Sequence, residues 1–123
     1  MASQPAGPAL SIRVHDEPGY VVITPVGEIG VTNSGRLRDQ LFGLADGGRP
    51  LVADLDQVSL VDAAGLGVLV GAAHRVAAYG ANLYVVCTQQ ETLRRFAATG
   101  VDRQIQLVRT VDEAVRDLTA APG

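Results

Sequence analysis

The sequence predicts one α/β domain in which a mixed β-sheet of about five strands is joined by about four α-helices. Three observations lead to that fold class. Short apolar runs alternate with longer segments whose apolar residues recur every three to four positions, the periods of strand and helix. The first two runs are separated only by Glu17-Pro18-Gly19, a turn that makes them antiparallel neighbours, whereas later runs are separated by helical segments that allow parallel crossovers. The 123 residues contain no internal repeat or linker, and at this length one core buries about two-thirds of the surface of the unfolded chain.

Each element has its own signal. Leu10, Ile12 and Val14 alternate with Ser11, Arg13 and His15, as in a strand with one wet face. Residues 20–26 form the second strand of a hairpin, with Pro25 removing a ladder donor and so indicating an edge position or a bulge near its end. Thr32, Asn33 and Ser34 offer N-caps to a first helix carrying Leu37, Leu41, Leu44 and Ala45, and Gly47-Gly48 stops it. Residues 51–55 read as a buried strand and 58–61 as its exit loop, leading into Asp62. A second helix runs from Ala63 to about Tyr79, capped by the Asp62 carboxylate, striped by Leu66, Leu69, Val70, Ala73 and Val76, and stopped at Gly80. Residues 83–87 give another buried strand. Thr88 and Glu91 make a capping box ahead of a third helix with Leu93, Phe96 and Ala97, ended by Gly100. After a last strand at 105–108, Thr110 and Glu113 repeat the box before a fourth helix with Val111, Ala114, Val115 and Leu118. The small, polar ends at 1–9 and 119–123 read as disordered tails around a domain at 10–118.

Composition narrows the function classes. The formal net charge is -3 and the only adjacent basic pair is Arg94-Arg95, so no basic patch is available for nucleic acid. Cys87 is the one cysteine and His15 and His74 are the only histidines, which gives neither a disulfide nor a metal-ligand spacing and suits a cytoplasmic protein. No charged-then-apolar leader stands at the N-terminus, and the longest run without charge or strong polarity, 63–73, is too short for a membrane span.

Several segments that could carry chemistry do not. Gly65, Gly67 and Gly71 look like a loose dinucleotide fingerprint, but from Ala63 through Gln90 there is no acidic residue to hold a ribose. Those glycines are expected to let the second helix approach the sheet. No glycine precedes a Lys-Ser or Lys-Thr pair, and the chain has no lysine at all, so there is no P-loop. His74 has no nucleophile at helical spacing, His15 belongs to a solvated turn with Asp16 and Glu17, and Cys87 closes an apolar strand as a small hydrophobe.

What remains is Asp54-x7-Asp62, where a strand delivers an acidic residue to the start of an amphipathic helix. The run LVDAAGLGVLVGAAHRV, with Val26-Gly27-Glu28-Ile29 before it, resembles the STAS domain of bacterial anti-sigma factor antagonists, whose motifs read approximately G-E-hydrophobic-D and D-S-[ST]-G-L-G. The resemblance runs from about Leu10 to Leu118 and includes Gly100-Val101 and the Val111 to Ala114 ending. It implies a STAS fold and a regulator of transcription that acts by partner switching, with no catalytic residue, metal or cofactor. The implied partner is an anti-sigma factor that is also a serine-protein kinase. The implied docking surface comprises Glu28, Ile29, Gly30 and Thr32 together with Asp62, Ala63, Ala64, Gly65, Leu66 and Gly67.

Three residues depart from the family pattern. The position after the motif aspartate, a phosphorylated Ser or Thr in the family, is Ala63 here, and Ala64 removes the neighbouring hydroxyl. Gly30 stands where the first motif has an acid. A phosphate at residue 63 would add about -1.5 to -2 charge beside Asp62 and repel an acidic or apolar partner. With alanine, the surface is either permanently competent to bind or belongs to a domain that has left the switch behind. Other readings compatible with the sequence are a STAS module of another signalling or lipid-transport complex and a small domain using the helix N-terminus as an anion or nucleotide site. A weak homodimer is left open.

Overall fold

The computed structural model describes residues 10–120; the expected tail at 1–9, and residues 121–123, lie outside the described residues. The hairpin forms as anticipated, from β1 (Leu10–Glu17) and β2 (Tyr20–Ile29), paired antiparallel from Leu10↔Gly27 to Glu17↔Tyr20. Gly19, with φ +87°, supplies the left-handed turn residue between them. After α1 (Ser34–Ala45), β3 (Leu51–Asp54) lies parallel to β2 through Val21↔Leu51 to Ile23↔Ala53. The remaining elements are β4 (Val58–Val61), α2 (Ala63–Ala77), β5 (Leu83–Val86), α3 (Gln90–Thr99), a 3-10 turn at Val101–Arg103, β6 (Gln106–Val108) and α4 (Val111–Leu118).

Among the described residues the sheet has six strands where about five were expected. The extra one is Val58–Val61, read from sequence as an exit loop. It pairs parallel with the far end of β2, at Gly27↔Val58 and Ile29↔Val61, so β2 exchanges β3 for β4 along one side. The main order is β1-β2-β3-β5-β6, with β4 branching from β2. This also corrects the edge reading of Pro25, because β2 lies between neighbours and Pro25 is buried. Val21 and Gly27 both donate toward the β3/β4 side, to Pro50 and Gln57, so by alternation the missing N–H of Pro25 would point there too. It falls where β3 has ended and β4 has not begun. The expected bulge does occur, as a register shift between Gly27 and Glu28, with Gly27 at φ +123°.

The helices cover the two faces unequally. On one face Leu37, Leu41 and Ala45 of α1, Leu66, Leu69, Ala72 and Val76 of α2 and Phe96 of α3 pack over Val21, Ile23, Leu51, Ala53, Leu83 and Val85. On the other, among the described residues, α4 is the one helix, and it brings Ala114, Val111 and Leu118 against Val22, Val52, Tyr84, Val86 and Val108. Tyr84 reaches through that small core to donate its hydroxyl to Asp117 at 2.8 Å. Gly100 ends α3 in the left-handed region at φ +79°, as expected.

The two capping boxes fare differently. Thr110 accepts from the Glu113 N–H at 3.0 Å, and the Glu113 carboxylate turns back to the Arg109 N–H at 3.0 Å. At α3 the N-cap is Gln89 and its side chain makes no cap bond. Thr88 is diverted: its N–H and hydroxyl both donate to Asp56, at 2.7 and 3.2 Å, tying the ends of β3 and β5 together. At the C-terminus Thr119 N–H donates to Val115 and Ala120 N–H to Asp117, so helical hydrogen bonding extends two residues into the expected tail.

Candidate functional site

The candidate site is built where β2, β4 and α2 meet. β4 runs straight into Asp62, whose extended backbone (φ -92°, ψ -174°) makes it the N-cap of α2. One carboxylate oxygen accepts from Ala64 N–H at 2.9 Å and Gly65 N–H at 3.2 Å. The other oxygen leaves the helix and accepts from Val31 N–H at 3.1 Å, while Asp62 N–H donates to the Ile29 carbonyl at 3.1 Å. One side chain thus joins the helix start to the loop after β2.

That loop is held from its other side by Asn33. Its Oδ1 accepts from Gly30 N–H and its Nδ2 donates to the Glu28 carbonyl, both at 2.9 Å. Asn33 sits at the N-cap of α1, yet its side chain reaches back into the loop instead of capping the helix. Its near-complete burial, at 8% exposure, is therefore matched by hydrogen bonds.

The residues expected at a docking surface divide into two groups. Thr32, Ala63 and Gly67 are exposed, and Glu28, Gly30, Asp62 and Ala64 are half-buried, all around the same loop and helix start. Ile29, Gly65 and Leu66 are buried, so they are corrected from contact residues to residues that shape the surface from beneath. A Cβ on Gly65 would lie 2.8 Å from methyl groups of both Ile29 and Val61. The absence of a side chain there lets α2 settle on β2 and β4. Gly71 is different, because its Cβ would meet the ring of Phe42 on α1 at 2.7 Å, so it serves helix-to-helix approach. Gly67 faces open space and serves neither contact. A Cβ at Gly30 would come within 3.3 Å of the outer oxygen of Asp62.

Two surface residues were not anticipated. Val31 is 79% exposed and Leu60 38% exposed, large apolar side chains flanking the Asp62 junction. An apolar residue inside the Gly30 to Ser34 turn, where polar residues are usual, is the signal that could have singled out Val31. Leu60 could be found only by knowing that 58–61 is a strand.

The helix start is ill-suited to binding an anion, because the amides of Ala64 and Gly65 already face a carboxylate. Among the described residues no group of three His, Cys, Asp or Glu side chains could hold a metal ion, and no helix is long and apolar enough to cross a membrane. His74 is exposed and shares a hydrogen bond with Gln104 at 3.2 Å. Cys87 is buried, and burial pushes its thiol above the ordinary range, the opposite of an activated nucleophile.

A mixed sheet in which β2 passes from β3 to β4, followed by an Asp-capped helix tied to the β2 loop, defines the STAS class of α/β domain. The model of the STAS domain matches residues 10–114, and the chain belongs to that family. The anti-sigma-B factor antagonist of Bacillus subtilis (strain 168) is 32% identical over 92 residues, which is 75% of this chain and 84% of that protein. Among solved structures, an anti-sigma factor antagonist from Mycobacterium paratuberculosis matches with a TM-score of 0.84 at 24% identity, covering 91% of this chain and 96% of that one. The anti-sigma factor antagonist SpoIIAA in its unphosphorylated form matches with a TM-score of 0.77 at 16% identity, covering 92% of this chain and 100% of that one. At such identities the two structures speak for the fold alone.

Proposed function

We propose that this chain is an anti-sigma factor antagonist that binds an anti-sigma factor of the serine-kinase type and so releases a sigma factor. It acts by docking, without catalysis. The observation that carries this reading is the double use of the Asp62 carboxylate, which holds the Val31 loop and the start of α2 as one continuous surface. Among the described residues Val31, Leu60 and Ala63 project from that surface, and Gly67 lies exposed beside them. The 32% identity to an anti-sigma-B factor antagonist supports the choice of partner class.

Ala63 sets this chain's regulation apart. Without a hydroxyl it accepts no phosphoryl group, so the docking surface stays uncharged there and binding persists whether or not a kinase and ATP are present. The test is affinity capture from native cells with the wild-type chain as bait, followed by binding of the purified partner with and without ATP. Capture of an anti-sigma factor that stays bound in ATP is the expected result. ATP-dependent release of the wild type would overturn the phosphorylation-blind mechanism, and failure to retain any anti-sigma factor would overturn the partner class.

A further inference from the structure

Among the described residues the outer edge of β1 has no neighbour in the sheet. The register shows which of its backbone groups point outward. Val21 donates to Pro50 on the β3 side, so alternation turns the N–H and C=O groups of Tyr20, Val22 and Thr24 toward β1. Their partners Glu17, His15 and Arg13 therefore make the β1–β2 ladder. Ile12, Val14 and Asp16 direct their backbone groups out of the sheet. Farther up the same edge, the Leu10 carbonyl accepts from Arg36 at 2.6 Å, so α1 covers that end and leaves the rest open.

We propose that this edge is a self-association surface, on which a second copy of the chain lays its own β1 antiparallel about a two-fold axis through His15. The strand is charge-complementary to itself in that register. Arg13, His15 and Glu17 lie on the sheet face away from α1 and α2, since Leu10 and Ile12 pack on the helix side. Centring the pair on His15 sets Arg13 of each copy opposite Glu17 of the other. Both contacts occupy non-hydrogen-bonded positions, where Cα atoms approach to about 4.5 Å and opposite charges stabilise the pair.

Centring it on Val14 instead would set Arg13 against His15 and Ser11 against Glu17, with no opposite-charge pair on that face. Registers between these two would place core-facing residues opposite solvent-facing ones and are excluded. Within one copy Arg13 and Glu17 stand about 13 Å apart along the strand, too far to pair with each other. Asp16 points to the other face, where Arg49 already holds it. A single strand edge is a small interface, so the dimer is weak and concentration-dependent. His15 lies opposite Val22, seven residues before Ile29, or about 23 Å along the strand. The pairing therefore leaves the Asp62 surface open and does not depend on what binds there.

Sedimentation equilibrium of the full chain from about 10 µM to about 1 mM spans the affinities of such interfaces. The weight-average mass should rise above the 12.8 kDa monomer toward twice that value. Arg13→Glu and Glu17→Arg should each weaken association roughly tenfold, and the double exchange R13E/E17R should restore it. Val14→Pro, which removes an outward donor but no β1–β2 ladder bond, should weaken association with an unchanged far-UV spectrum. A chain that stays monomeric throughout, or a dimer indifferent to both single reversals, would overturn the proposal.

Discussion

Adding one methyl group to α2 should have opposite effects at two positions two residues apart. At Gly65 a Cβ would sit 2.8 Å from methyl groups of Ile29 and Val61, each 1% exposed, so neither has free volume to move into. Overpacking of this kind costs about 1–3 kcal/mol, and two contacts at that distance place it in the upper half of the range. Replacing a helical glycine by alanine returns about 1 kcal/mol. The net expectation for Gly65→Ala is about 1–2 kcal/mol of destabilisation, or a fall of about 4–10 °C in Tm for a domain of this size.

At Gly67 nothing lies within 4 Å, so only the helical gain applies. Gly67→Ala should raise stability by about 0.5–1 kcal/mol. Thermal and urea unfolding of both variants beside the wild type measure the difference. If Gly65→Ala proved as stable as the wild type, α2 would not lie against Ile29 and Val61 and the geometry of the whole site would be wrong. Gly67→Ala also separates stability from docking, because it should weaken partner binding while making the domain more stable.

Four further outcomes are expected. Asp62→Ala should cost about 0.5–2 kcal/mol from cap loss alone, and partner binding measured by calorimetry should fall by more than that; equal binding by the folded variant would remove Asp62 from the docking surface. Leu66→Asp should destabilise by about 3–5 kcal/mol, since it removes a buried side chain and inserts an unpaired carboxylate, and an unchanged urea midpoint would refute its burial. Ala63→Ser, incubated with an anti-sigma factor kinase and ATP, should gain one phosphate by intact-protein mass spectrometry and release its partner, whereas the wild type should gain none at residue 63. Burial raises both the Cys87 thiol and the Tyr84 hydroxyl. Their stabilising contribution is therefore complete below the unfolded-state pKa values and lost as pH rises through the folded ones. Unfolding midpoints should fall from about pH 8.5 upward, and Cys87→Ala should lessen the fall.

The elements most legible in the sequence are those whose signals are local. Asp62 before a 3.6-residue apolar stripe, Gly100 after Phe96 and the Thr110 cap of α4 each depend on neighbours within one or two turns. What escaped depends on distant residues. Val58–Val61 becomes a strand because β2 continues beyond the end of β3, and that continuation requires Gly27 at φ +123°. Thr88 loses its capping role to Asp56, which is 32 residues earlier in the chain. At the site, the Asp62 cap was readable but its second oxygen was not, because the bond to Val31 spans 31 residues. Nor does a motif distinguish the glycine that seats the helix, Gly65, from the one that faces solvent, Gly67.

The unequal covering of the sheet gives the domain two separable stabilities. The face beneath α1, α2 and α3 shares its core with every strand that shapes the Asp62 junction, so opening it dismantles the site. The face beneath α4 is closed by one eight-residue helix, anchored chiefly by Ala114 and the Tyr84–Asp117 hydrogen bond. Helices this short hold their shape only while docked. Amide exchange in α4 should therefore run ahead of exchange in α2, through a partial opening that bares Val22, Val52 and Val86 while the Asp62 cap stays closed. The domain can lose one layer and still present the other intact.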